Sequence, residues 1–440
     1  MIKKLVLVFA AILTFQVYAQ ENGVSPYSFY GIGVQKFKGT VENRSMGGLS
    51  VALDSIHVNL RNPASYTGNN LEVWNGENRP VKFAVGGSHS SVNLKSNTSE
   101  ASSSSTAFDY LAINIPVGKA GVGFGLLPFT SVGYQIDNFN TDNNGNAVIS
   151  SSFNGSGGVN KAFLGLGYQV TRALSLGVDF QYNFGTIESD ALLFNFDDDN
   201  TPLARQSKEN NRSSLSGLNL NLGLYYNTKF YKNLEVSTSL VYAPKSTLVS
   251  RNTRNLSRVL IAGARRDQQA EDLITNVDLE SLNLDKVDLE IPSTLSIGLG
   301  VGQIRKWFVG AEYTVQDKSD FNNPFTTTGN ATFEEASVFA LGGYYIPQYN
   351  SYTSYFNRIV YRAGIRQETT GLNVNGESID EFGMSFGLGL PLSGGASNIN
   401  LGFEFGKRGT TDNNLIEENF FNLRIGLSLS DRWFQKRKYN

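Results

Sequence analysis

The 440-residue chain reads as an all-β protein, a 14-stranded antiparallel transmembrane β-barrel with an N-terminal luminal hatch. Three observations lead there: an export signal, a period-two alternation repeated along the chain, and connections that are short at one end of the strands and long at the other.

Lys3 and Lys4 precede an apolar run from Leu5 to Phe15, and Val17-Tyr18-Ala19 follows at the positions a signal peptidase reads. Residues 1–19 are therefore expected to be a signal peptide cleaved after Ala19. The run is too short to span a bilayer comfortably, and no second run of eighteen or more apolar residues follows, which excludes a helical membrane protein. With no Cys there is no lipidation site, disulfide framework or thiolate chemistry.

Composition agrees with a barrel. Gly 45, Phe 29 and Tyr 20 stand against only 17% charged residues. A disordered chain lacks such aromatics, and an ordinary enzyme of this size carries helices rich in Glu, Lys and Ala. A net charge of -2 argues against nucleic acid as a partner, because backbone binding needs clustered Lys and Arg in excess.

The alternation is clearest in Leu218–Tyr226 (LNLNLGLYY), Leu295–Val301 (LSIGLGV), Ile399–Phe405 (INLGFEF) and Leu423–Leu429 (LRIGLSL). Placing boundaries at turn residues predicts strands at about 80–97, 106–116, 120–137, 160–170, 174–185, 213–230, 234–253, 290–303, 307–317, 332–346, 358–371, 379–391, 396–408 and 418–430. An even count returns both termini to one side, expected to be periplasmic in a Gram-negative outer membrane, with outer-membrane lipids around the wall. Turns on that side are mostly short, while the opposite connections, near 138–159, 186–212, 254–289, 318–331 and 409–417, are longer. Within 254–289, the mixed apolar and charged stretches 256–270 and 270–277 suggest short helices capping the mouth.

Parity assigns faces. Leu174, Leu176, Val178, Phe180 and Tyr182 should meet lipid, whereas Ser175, Asp179, Gln181 and Asn183 should face the lumen. The same count turns Glu312, Arg362, Arg366, Glu404 and Arg424 inward, a luminal polar network of both signs.

Residues 20–79 do not alternate, and the lumen is the simplest place for so polar and glycine-rich a segment. Asn59, Arg61, Asn62 and Pro63 are expected to anchor it, the asparagines to turn backbone and Arg61 to inward carboxylates such as Glu312 and Glu404. Pro128 falls inside the third strand, where it has no N–H to give the ladder, so an interruption or lateral opening is expected there with Phe129 and Tyr134 lining it.

The run Arg44-Ser45-Met46-Gly47-Gly48, the apolar stretch Leu49–Leu53, Asp54 and then Asn62-Pro63-Ala64-Ser65 resemble the hatch region of the FadL-like long-chain fatty-acid transporter family, whose superfamily includes the PorV-like barrel of type IX secretion. Leu126–Tyr134 resembles the family's third strand, and the closing segment from Asn419 resembles members from Bacteroidota. The resemblance implies fourteen strands and a lateral exit for hydrophobic ligand at the third-strand interruption.

After the barrel, expected at 80–430, residues 431–440 form a basic aromatic tail in which Arg432, Trp433, Phe434, Lys436 and Arg437 are candidates for periplasmic contact. Catalysis has little to stand on: His57 and His89 are the only histidines, there is no HExxH or GxSxG, and Asp197-Asp198-Asp199-Asn200 lacks the spacing of a calcium loop. No enzyme activity, metal or cofactor is expected. The leading reading is a conduit for a hydrophobic ligand with lateral exit. The alternative is a non-transporting accessory barrel that holds protein partners in an envelope secretion or assembly machine.

Overall fold

A computed structural model describes residues 25–54, 56–67, 81–141, 147–196, 203–231, 233–261, 269–326, 329–392 and 397–431. None of its described helices is long and apolar enough to cross a membrane. The wall is made of β1 (Val81–Lys95), β2 (Glu100–Val117), β3 (Ala120–Thr141), β4 (Ala147–Gln169), β5 (Leu174–Leu193), β6 (Arg205–Tyr231) and β7 (Leu234–Ala243 with Ser246–Ile261). It continues through β8 (Gln269–Asn276, Lys286–Ile291 and Thr294–Gln303), β9 (Trp307–Asp317) and β10 (Ala331–Phe333 with Glu335–Tyr345). Last come β11 (Val360–Val374), β12 (Glu377–Pro391), β13 (Asn398–Arg408) and β14 (Glu417–Asp431).

Each strand runs antiparallel to its sequence neighbour, and β14 closes on β1 in a continuous register from Glu417↔Lys95 to Asp431↔Val81. Closure satisfies the backbone of both edges, which hydrocarbon cannot do. Fourteen strands are present, each overlapping its expected position.

Strand lengths differ from expectation at one end. β4, β5 and β6 run far past the predicted boundaries, and where 256–270 and 270–277 suggested helices the described residues are strand, Ser246–Ile261 and Gln269–Asn276 pairing across a bulge. The correction has a physical cause. Beyond the lipid both faces meet water, so apolar alternation stops while backbone pairing continues, as in Glu209-Asn210-Asn211-Arg212 of β6 against β5 and β7. Cross-strand ion pairs such as Arg212–Glu188 at 2.9 Å and Lys208–Glu271 at 2.7 Å occupy this extension.

On β5, Leu176, Phe180 and Tyr182 are exposed while Ser175, Asp179, Gln181 and Asn183 are buried. Outward apolar rings facing lipid and inward polar groups are what the pleat dictates in a barrel. The core lies between the inner wall and residues 25–67. Val41, Val58, Leu60 and Tyr66 pack with Tyr110, Leu127 and Phe163, and Met46, Leu49, Val51 and Ala64 pack with Tyr225 and Phe308.

Two inward glycines show how closely the segment approaches. A Cβ added to Gly177 would lie 2.3 Å from the Ala64 nitrogen, and one added to Gly364 would lie 2.2 Å from the Gly47 nitrogen. Only a residue without a side chain admits a second backbone there.

The outward face can be tested directly at Leu222, exposed near the middle of β6. Leu222→Arg is expected to lower the stability of the barrel in liposomes by about 2–4 kcal/mol in a urea titration, because the guanidinium must enter hydrocarbon. Unchanged stability would mean that this face does not meet lipid.

Candidate functional site

The ladder between β2 and β3 covers only Leu111↔Leu126 to Val117↔Ala120. One residue later come Leu127 and Pro128. On its other side β3 stays paired with β4 along its length, with a bulge between Pro128 and Thr130 that accommodates Phe129. The two sides of β3 therefore behave differently above Leu126.

The edge that β2 leaves is taken up by the N-terminal segment. A two-residue strand, Val34–Gln35, pairs antiparallel with Ser131 and Thr130. The Lys36 N–H donates to the Phe129 carbonyl at 2.9 Å, the Ser25 N–H donates to the Gly133 carbonyl at 3.0 Å, and the Gly133 N–H donates to Ser28 Oγ at 3.0 Å. Tyr134 packs edge-on against Phe29 with centroids 5.2 Å apart, and the Lys161 ammonium lies 4.2 Å from the Phe129 ring centre. A small cavity of about 150 Å³ behind this strand is lined by Ser105, Asp109, Pro128 and Lys36 among others.

The segment is tied down by buried charge. The helix Val41–Arg44 starts with a capping box in which Thr40 and Asn43 satisfy each other's ends. It directs Arg44 to Glu404 at 2.8 Å, which also accepts from Arg424 at 2.6 Å and lies 3.4 Å from Arg366. Arg366 pairs further with Glu368 and Glu381, and Arg408 bridges Glu381 and Glu418. Glu418 in turn accepts from Ser25 Oγ at 2.5 Å. Burial and the like charge of Arg366 pull the Arg44 guanidinium down to about 10, with Glu404 and Glu381 opposing.

The sequence-selected residues fall into three groups. Arg61 meets Glu312 at 2.7 Å, and Glu312 also accepts the Ser50 N–H and hydroxyl at 2.6 Å. Asn59 Oδ1 accepts from the Arg61 N–H at 2.9 Å, Asn62 Nδ2 donates to the Leu224 carbonyl at 3.0 Å, and Pro63 abuts Gly177 and Gly223. In the luminal set, Arg366, Glu404 and Arg424 come together. Asp179 stands apart with Lys38 at 3.6 Å, and Arg362 donates to Asn400 Oδ1 at 3.2 Å. Arg432, Trp433, Phe434, Lys436 and Arg437 lie outside the described residues, as does Asp197-Asp198-Asp199-Asn200. Arg44, Glu381 and Arg408 were not selected. Extending the inward parity of Gly383 and Ser385 back along β12 reaches Glu381, whereas Arg44 sits in a segment with no period to follow.

Two larger cavities adjoin the segment, one of about 480 Å³ and one of about 310 Å³. The helix contributes Glu42 and Asn43 to the first and Arg44 to the second. The 310 Å³ cavity reaches Leu127, Pro128 and Phe129, and its walls carry Lys36, Lys38, Lys161, Arg366, Glu312 and Glu381.

With this geometry in hand, one family's sequence model, described as BamG, matches residues 1–440. The chain belongs to the BamG family. The comparison with curated proteins gives no match. Among solved structures, the Ralstonia pickettii toluene transporter TbuX is similar over 90% of this chain and 100% of that one, with 13% identity and TM-score 0.58. The CymD monoaromatic hydrocarbon channel matches over 90% and 99% with 15% identity and TM-score 0.55, and a Pseudomonas aeruginosa FadL homologue over 90% and 98% with 10% identity and TM-score 0.53. At such identities the likeness is one of fold, the closed antiparallel barrel described above.

Glu404→Gln is expected to leave Arg44, Arg424 and Arg366 short of a shared anion. Removing one partner of such a buried network costs about 3–5 kcal/mol. Urea unfolding should move accordingly, and residues 25–67 should become cleavable by protease in the folded barrel. A protease-resistant segment in a stable variant would show that the network does not hold it.

Proposed function

We propose that this BamG-family barrel is an accessory subunit of an outer-membrane secretion or protein-assembly machine, a scaffold whose own lumen stays shut. The observation that carries the reading is the buried lock on the luminal segment, in which Arg44 and Arg61 each reach a buried wall carboxylate. Opening the lumen would take Arg61 from Glu312 and Arg44 from Glu404, although Glu404 would keep Arg424 and Arg366 of the wall. The charged side chains that share the wall of the 310 Å³ cavity with aromatic and aliphatic ones also disfavour an apolar cargo, whose entry would desolvate Lys and Glu groups without offering them a partner.

A second reading, a conduit for hydrophobic ligand with lateral exit, is favoured by one observation of its own. The wall ladder lapses at Pro128, beside a cavity, in a fold shared with a toluene transporter and a hydrocarbon channel. Passage would then require residues 25–36 to leave the β3 edge.

Stapling the seam separates the two. Ala107 and Ser131 line the small cavity from opposite sides of the gap, and the chain has no other thiol to compete. Ala107→Cys with Ser131→Cys, bridged by a short bismaleimide, should leave a set of partner proteins co-purifying in mild detergent at an unchanged ratio and should leave toluene entry into cells unchanged. A barrel that purifies alone and loses toluene entry when stapled would replace the scaffold with the conduit.

A further inference from the structure

We propose that the 480 Å³ cavity at the short-turn end is a binding site for a small neutral amphiphile, an aromatic body carrying a hydrogen-bond-donating head such as a phenolic hydroxyl. The inference is independent of the scaffold reading. It concerns the cavity that does not reach the seam.

The cavity lies where β8 turns into β9, β10 into β11 and β12 into β13, and its lining includes Arg305, Tyr349 and Leu392 from those turns. One side is aromatic. Phe308 and Tyr344 are stacked with centroids 6.0 Å apart and planes 16° from parallel, and Tyr225 and Trp307 join them in the lining. A volume of this order is typical of a small-ligand pocket, and apolar and polar residues share this lining about equally.

The other side is polar and incompletely satisfied. Glu42 is 3% exposed, and its Oε1 accepts from Asn400 Nδ2 at 2.6 Å and from the Ser428 hydroxyl at 2.7 Å, while its Oε2 has no partner. Asn398 is 2% exposed, is the rung partner of Ser428, and has an Oδ1 with no partner. Two buried acceptors in one cavity lining thus have no donor among the described residues. Leaving a buried acceptor unmet is costly, so a ligand that supplies the donor gains what a hydrocarbon of the same shape cannot.

Charge selects a neutral head. Glu42, Asp54 and Glu235 line the cavity together with Arg305, Arg358 and Arg362, and the Lys82 ammonium donates to the His57 carbonyl at 2.9 Å just behind it. A charged head of either sign would therefore meet like charge as well as opposite charge in this lining. A hydroxyl, with one proton to give, would donate to one of the two free oxygens, Glu42 Oε2 or Asn398 Oδ1, with its ring among Phe308, Tyr344 and Trp307 of the lining.

The test uses the full-length barrel in detergent with Trp74→Phe and Trp433→Phe, so that Trp307 in the cavity wall is the only tryptophan reporting. Titration with 4-methylphenol, toluene and 4-methylbenzoate should quench Trp307 with at least tenfold preference for the phenol over either of the others. Glu42→Gln keeps the shape but presents an amide donor to the cavity, and should erase that preference while the barrel keeps its heat-resistant gel mobility. Should Glu42→Gln fail to fold, Asn398→Leu removes the second acceptor and is expected to reduce the preference by several-fold. Equal quenching by phenol and toluene, or a preference that survives in a folded variant, would mean that water alone fills the polar end and would overturn the proposal.

Discussion

The edge of β3 above Leu126 is the constraint on which the interior is organised. A barrel in hydrocarbon cannot leave backbone groups unmet, yet Pro128 brings no N–H and the ladder to β2 has already ended. The carbonyls of Phe129 and Gly133 are answered by Lys36 and Ser25 of the same chain, with Val34–Gln35 adding a short rung between them. This is β-augmentation performed from inside the wall. Once residues 25–36 are committed to that edge, the path of the following residues across the lumen is restricted to what thirty more residues can reach.

Charge then fixes that path in register. The inner wall presents Glu312 on β9 and Glu404 on β13, well apart around the barrel, and the segment brings Arg61 to one and Arg44 to the other. Both guanidiniums also lie over the ring of Phe37, at 4.8 and 5.4 Å from its centre. Apolar burial adds adhesion without direction, since Val41, Leu60 and Tyr66 would pack against many inner surfaces. The paired charges and the side-chain caps, each with a single geometry, select one of them.

What could be read from the residues follows the same division. Period two marks a strand wherever one face meets lipid and the other does not, so all fourteen spans and the inward turn of Glu312, Arg366 and Glu404 were readable. It fails where both faces meet water, which is why β4 to β6 looked shorter than they are and why 256–270 and 270–277 looked helical. It also says nothing of a segment without a period. Asn59, Arg61 and Asn62 stood out because Asn and Pro carry turn chemistry, but Glu42, a single acidic residue in an irregular stretch, carries no mark of being buried beneath Asn400 and Ser428.

The same physics explains why a shared barrel does not transfer a cargo. A monoaromatic hydrocarbon has no polar atom, so its passage depends on a wall with none left unmet along the way. Here the cavity that reaches the seam carries Lys36, Lys38, Lys161, Arg366, Glu312 and Glu381, which gain nothing from an apolar visitor, while Phe308, Tyr344 and Trp307 line the other cavity together with Glu42 and Asn398. The split arises in one turn of helix, where Glu42 and Arg44 serve the two cavities separately and the intervening Asn43 caps the turn through Thr40 and also donates to the Leu49 carbonyl at 2.8 Å. The difference between the two spaces is therefore set less by the strands than by how the luminal segment distributes its few polar side chains between them.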